Sequence, residues 1–232
     1  MNLKQVLLSV LLFCNLSYSQ TNLNIELKTE LESIYKSDQI IREYVNANTS
    51  DSRKSEIENT LGYKFENLNE AYIRMKEVDS ININRIEVLI QKYGYAGKSL
   101  VGEPTNETMW YIIQHSNKIK KYYPIIEIAG KRNELPKTLV VKMYDRILVN
   151  DGKEQIYGTQ GRFVLIKNKK TGLDEMFKYI HPIKNPKSVN VRRKKIGFKT
   201  SVETNALEMG IIYKSYTYKD LQKIFRENDI IN

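Results

Sequence analysis

Between residues 23 and 45 the apolar side chains fall at Leu27, Leu31, Ile34, Tyr35, Ile40 and Ile41, on a charged background. That spacing follows the helical period and leaves one apolar stripe, so the segment is predicted to be an amphipathic helix. A polar break follows, in which Ser50 and Asp51 can cap a new element. Residues 56–78 again read as helical, with an interruption near Gly62. Asp79 or Ser80 is expected to cap a further helix through Tyr93, with Gly94 at its end.

The stretch "GYAGKSLVGEP" carries three glycines and reads as a loop of defined shape. It lacks the spacing of a phosphate-binding loop. Thr105 then begins "TNETMWYIIQHS". At about 100° per residue, Met109, Trp110, Tyr111, Ile112 and Ile113 cover almost every direction, and a helix that is apolar all round is buried. His115 follows Tyr111 by one turn, so its imidazole is expected among packed side chains. The next helical segment contains Pro124, which should bend or break it. Residues 137–149 form another predicted helix, with an apolar face of Leu139, Val140, Met143, Tyr144, Ile147 and Leu148. Asp145 points about 150° from the centre of that face and Arg146 about 110°. Either Asp145 meets solvent, or something polar covers that side.

Two short apolar runs separated by a turn signal replace the helical period in "RFVLIKNKKTGLDEMFKYIHPI". Strands at 163–166 and 176–180 with a turn in "NKKTG" predict a hairpin. A basic, proline-started segment and a C-terminal helix near 218–227 complete the chain. The expectation is a mainly α, multi-helix domain with one small β-hairpin. Its divisions are a signal peptide (1–19), an N-terminal helical segment (20–78), a motif-bearing domain (79–200) and a C-terminal helical extension (201–232).

Composition changes this picture in three ways. The first twenty residues combine Lys4, a short apolar run and the small residues Ser17 and Ser19, the pattern of an export signal. The chain is therefore expected to be periplasmic or secreted, with no transmembrane segment in the mature form. Cys14 is the one cysteine, so the mature chain is expected to lack disulfides, thiolate catalysis and cysteine-ligated zinc. The formal net charge is +10, which favours anionic partners.

Candidate chemistry gathers at a few places. The histidines are His115 and His181, and neither sits in a metal-ligand spacing, so no metal or other cofactor is expected. His115 is a candidate acid–base group and Asp145 a candidate to orient it or to anchor Arg193. Arg146 can clamp a carboxylate or phosphate. Neighbours on one helix do not face each other, so Asp145 and Arg146 should serve different partners. "DRILVNDGKEQIYGTQ" supplies Gln155, Tyr157, Gly158 and Gln160, read as one wall of a polar pocket. Arg192 and Arg193 lie within "RRKK", where aromatic interleaving is thin, so nucleic acid is not the expected partner.

"GYAGKSLVG", "WYIIQHS", "DRILVNDGKEQIYGTQ" and "HPIKNPKSVNVRRKKIGF", in that order, resemble a bacterial family of unknown function, domain of unknown function 6624. Tyr95 and Ala96 stand where that family usually has Trp and Pro, and Phe198 where Leu is common. The resemblance spans residues 79–198. It implies that His115, Asp145, Arg146, Gln155, Tyr157, Gln160 and Arg193 belong together, and it carries no established reaction. The expected function is an exported protein with a polar, partly cationic pocket for a small polar or anionic ligand, with His/Asp acid–base hydrolysis or transfer as its chemistry. A non-catalytic binding or interaction module of the cell envelope is the rival. A third reading is polyanion binding through the basic patch.

Overall fold

A computed structural model describes residues 23–231; the expected signal segment lies outside the described residues. Helix α1 (Ile25–Val45) starts where the Asn24 side chain accepts from the Leu27 amide at 3.0 Å. Its buried stripe is Leu27, Leu31, Ile34 and Ile41, and Asp38 is buried on the same stripe. Helix α2 (Asp51–Leu61) is capped by Ser50 and ends at Gly62.

Helix α3 (Leu68–Tyr93) runs unbroken through position 79. The predicted helix start at Asp79 or Ser80 is therefore corrected. The segment contains neither Gly nor Pro to stop a helix, Asn67 supplies the cap, and the Asp79 carboxylate is bonded to Arg42 on α1 instead. The seam expected between positions 78 and 79 falls inside this helix.

A short helix α4 (Lys98–Val101) and a 3-10 turn (Thr105–Glu107) lead into α5 (Thr108–Gln114). Met109, Trp110, Ile112 and Ile113 of α5 are all buried, and the Trp110 indole donates to the Leu139 carbonyl at 2.8 Å. Helix α6 (Ile119–Lys131) continues through Pro124 rather than breaking there. Helix α7 (Lys137–Asn150) packs beside it, with Leu139, Val140 and Met143 inward. The principal core joins α1, α3, α5, α6 and α7 around Ile34, Ile86, Ile113, Ile126 and Met143. The N-terminal helix thus shares a core with the motif-bearing helices.

Strands β1 (Gly161–Asn168) and β2 (Asp174–Ile180) form the predicted hairpin, in register from Gly161 opposite Ile180 to Lys167 opposite Asp174. Helices α8 (Val189–Ile196), α9 (Val202–Glu208) and α10 (Tyr218–Glu227) follow. A short strand β3 (Asn228–Ile230) then pairs antiparallel with the free edge of β1, which makes a three-stranded sheet of order β2–β1–β3. Leu221 of α10 closes the sheet's inner face with Val164, Ile166 and Tyr179. The protein is mainly α with this one small β element. Among the described residues, no helix is long and apolar enough to cross a membrane.

Candidate functional site

Asp145 is fully buried, and its side of α7 is covered by the loop before β1. Its Oδ1 accepts from the amides of Ile156 (2.7 Å) and Tyr157 (3.1 Å). Its Oδ2 accepts from the amide of Thr159 (3.2 Å) and from the Thr159 hydroxyl (3.0 Å). Burial pushes this carboxyl above its ordinary value, against the pull of those donors. Both oxygens are thus committed to the loop, and neither reaches His115 or Arg193. The expectation that Asp145 orients one or anchors the other is corrected on that ground.

Three more of the predicted residues build the same wall. Gln155, fully buried, donates to the carbonyls of Gln160 and His181 and accepts from the Gln160 amide, each at 2.9 Å. Arg193 is buried too: it donates to the carbonyls of Tyr157 and Thr200, both at 2.9 Å, and its guanidinium lies 4.3 Å from the Phe198 ring centre. Tyr157 spends its amide on Asp145 and its carbonyl on Arg193, while its partly buried ring leans toward Phe198. Gly158 sits at φ 67° in the left-handed region, and a Cβ there would come within 2.5 Å of Val202. Arg192 is spent similarly, on the carbonyls of Ile156 and Lys184. Two of the four charges in "RRKK" therefore face inward rather than forming a free basic patch.

His115 takes its partner from the N-terminal helix. Its Nδ1 lies 3.1 Å from Oδ1 of Asp38, whose side chain is 1% exposed against 19% for the histidine. Arg42 bonds to Asp38 one turn along α1 and also to Asp79 of α3. Burial acts to raise the Asp38 carboxyl, but His115 and Arg42 outweigh it and hold the group below its ordinary value. Asp79 is pushed up, chiefly by burial, although Arg42 opposes this. Among the described residues Nε2 of His115 has no hydrogen-bond partner, so the imidazole is gripped from one side only.

Asp38, Asp79 and His115 each offer a metal-ligating atom, all within 4.8 Å of one another. The guanidinium of Arg42 already bonds to both carboxylates and supplies the positive charge a cation would bring. A metal ion would have to displace it.

Arg146 links the two regions. Its Nη1 donates to the carbonyl of Gln114, the residue before His115, at 2.8 Å, and its Nε donates to Oε1 of Gln160 at 3.2 Å. Gln160 is pinned in turn by the Lys142 carbonyl and the Thr159 hydroxyl. Beside this pair opens a cleft of about 370 Å³, lined by Gln114, Ser116, Arg146, Gln160, Arg162 and His181. Burial and then Arg162 hold His181 down to about 4, so at neutral pH it adds no charge while the two arginines do.

Of the predicted residues, Arg146 and Gln160 line the cleft; His115 does not, although its neighbours Gln114 and Ser116 do. Asp145, Gln155 and Arg193 are buried and spent on backbone groups. Sequence reasoning missed Asp38, Arg42 and Asp79. One signal was present: Asp38 stands four residues after Ile34 and three before Ile41, a charge on an otherwise apolar stripe.

The architecture defines a helical domain in which the loop preceding a small sheet is clasped to α7 and the sheet itself packs on the C-terminal helix. The chain belongs to a family of unknown function, DUF6624, whose model matches residues 25–209. That span takes in α1 as well as the motif-bearing helices, so the Asp38–His115 pair lies wholly inside the family domain. No curated protein and no solved structure matches the chain.

Proposed function

We propose that His115 and the adjoining cleft form a ligand site for a small polar or anionic molecule, with His115 as general acid–base in a hydrolytic or transfer reaction. One observation carries the reading: a buried carboxylate, Asp38, holds Nδ1 of a partly exposed histidine whose Nε2 has no partner among the described residues. Such a carboxylate fixes the ring's tautomer and orientation and stabilises the imidazolium that forms when Nε2 takes a proton. Arg146 is the group suited to the anionic part of the ligand, because its guanidinium is positioned by Gln114 and Gln160 rather than neutralised by a carboxylate. Arg162 adds a second positive charge to the same cleft. The proposal includes export, supported by Lys4, the apolar run and Ser17/Ser19.

The test is a thermal melt of the full chain with inorganic phosphate and with citrate. Occupancy at about 100 times the dissociation constant adds roughly 2.7 kcal/mol, which a melt resolves readily. The stabilisation should vanish in Arg146→Met and persist in His115→Asn, which would then separate binding from chemistry. A wild-type melt unmoved by either anion overturns the reading. Anion binding with no turnover of phosphate or carboxylate esters would assign the domain to the non-catalytic binding class.

A further inference from the structure

One helical turn from the Asp38–His115 pair lies a second cleft of opposite character. It encloses about 280 Å³, and its walls include Glu32, Tyr35, Thr105, Glu107 and Tyr111. Tyr35 precedes Asp38 by three residues on α1, and Tyr111 precedes His115 by four along α5, so this cleft lies one helical turn from the pair on both helices. The Tyr35 and Tyr111 rings meet edge to face with centres 5.3 Å apart. Thr105 donates to Oε1 of Glu32 at 3.0 Å and fixes that wall.

Glu107 is the unusual member. It is partly buried, and among the described residues its carboxylate has neither a hydrogen-bond partner nor a cation within 4.0 Å. Burial and then the nearby Glu103 push its carboxyl above the ordinary value, against a weaker opposing pull from Lys142, which makes no contact with it. A partly desolvated carboxylate with no cation in contact is an energetic cost that a bound cation would relieve. The two tyrosine rings narrow the kind of cation. Aromatic faces attract alkylammonium groups and give nothing to a hard metal ion, which seeks additional oxygens.

The clefts lie at the two ends of one short helix. Glu107 stands just before α5, and Gln114, which Arg146 grips, ends it. Seven residues of helix span roughly 10 Å. We propose that the ligand is a zwitterion whose ammonium enters the Glu107–Tyr35–Tyr111 cleft and whose phosphate or carboxylate reaches Arg146, with the segment between them passing His115. This rests on the reading of His115 and Arg146 given above and adds the cationic half of the ligand. A molecule carrying one charge alone fills half the site. Joining the two charges makes the second contact intramolecular, so affinity rises when the spacer matches the separation and falls when it does not.

The experiment uses ω-aminoalkylphosphonates with spacers that bracket the roughly 10 Å separation, each compared with the alkylphosphonate lacking the amine and with inorganic phosphate. Binding to the full chain is measured by calorimetry. The expected result is an optimum spacer at which the amine improves affinity about ten-fold or more, a gain of about 1.4 kcal/mol. Glu107→Gln should remove that gain while phosphate affinity stays within about two-fold. Arg146→Met should weaken every phosphonate in the series. If phosphate binds through Arg146 but the amine gives no gain at any length, the zwitterion is overturned and the anion site stands. If phosphate and the whole series fail to bind, the ligand-site reading itself is overturned. A gain that survives Glu107→Gln also overturns the proposal, because the amine would then be held elsewhere.

Discussion

Asp38 and Asp145 are equally buried, at 1% and 0% exposure, yet they do different work. Asp145 is surrounded by donors of its own loop: three amides and a hydroxyl between Ile156 and Thr159. Asp38 faces ionisable side chains, a partly exposed imidazole and a guanidinium. The first arrangement folds a loop and leaves nothing to react. The second leaves a histidine nitrogen aimed away from its partner. The difference teaches that burial and charge do not by themselves mark a functional carboxylate; what accepts or supplies the proton does. Asp145 belongs to the most distinctive stretch of the chain, "DRILVNDGKEQIYGTQ", and the structure makes it the clasp of that stretch.

The largest effect should come from breaking the clasp. Asp145→Ala leaves several buried donors without an acceptor, each costing about 1–3 kcal/mol. The expected loss of stability is about 3 kcal/mol or more, read as a fall in denaturation midpoint. A variant within about 0.5 kcal/mol of the parent, as for an ordinary surface change, would mean that the loop holds itself. Arg193→Met keeps the aliphatic stem but orphans the Tyr157 and Thr200 carbonyls, with an expected loss of about 2 kcal/mol. Neither change should alter anion affinity once the protein is folded, which separates the wall from the site.

Asp38→Asn should cost less, about 1–2 kcal/mol, because the amide keeps an oxygen for His115 or Arg42. Its signature is functional. With the negative charge gone, an imidazolium formed at His115 loses its counter-ion, so turnover of phosphate or carboxylate esters should fall while phosphate affinity at Arg146 stays as in the parent. Unchanged turnover would mean that Asp38 is no more than a second clasp. Zinc sharpens the same contrast. Because Arg42 already bridges Asp38 and Asp79, added zinc should leave the parent's melt unmoved, whereas Arg42→Ala should open the three ligands to it. Zinc stabilisation of the parent would make Arg42 a displaceable gate.

Much of the fold was legible because its signals are periodic. The stripes of α1 and α7, the apolar run of α5 and the two short apolar runs of the hairpin each mark a single helix or strand. Strand β3 was not legible: three residues cannot show alternation, and what makes them a strand is the open edge of β1. Asp79 shows a different limit. An Asp at the edge of a polar stretch suits a helix cap, but the same carboxylate suits an arginine on a neighbouring helix, and only packing chooses. At the site, Asp145 lies on the side of α7 away from Leu139, Val140 and Met143, as the helical period requires. Its partners were invisible because backbone amides carry no sequence signature. Asp38 was hidden by distance along the chain, since 77 residues separate it from His115.

The smallest and most discriminating effect is the pH dependence of stability, in which the two aspartates should act with opposite sign. Asp38 is held below its ordinary value of 3.8 in the folded protein. The stabilisation that goes with this is present in full above the unfolded value and is lost as pH falls through the folded one. The stability gap between the parent and Asp38→Asn should therefore narrow below about pH 4. Asp145 is pushed above 3.8, so the folded state binds its proton more readily than the unfolded state. Ionisation then works against the fold as pH rises from 3.8 through the folded value, and the gap between the parent and Asp145→Asn should widen as pH falls through that window. Denaturant melts of the parent and both variants, taken on both sides of the ordinary carboxylate value of about 3.9, give the two slopes directly. The slopes should cross in sign. Two parallel slopes would show that the loop donors hold Asp145 as an anion as firmly as His115 and Arg42 hold Asp38. The comparison between clasp and site would then rest on partners alone and not on charge.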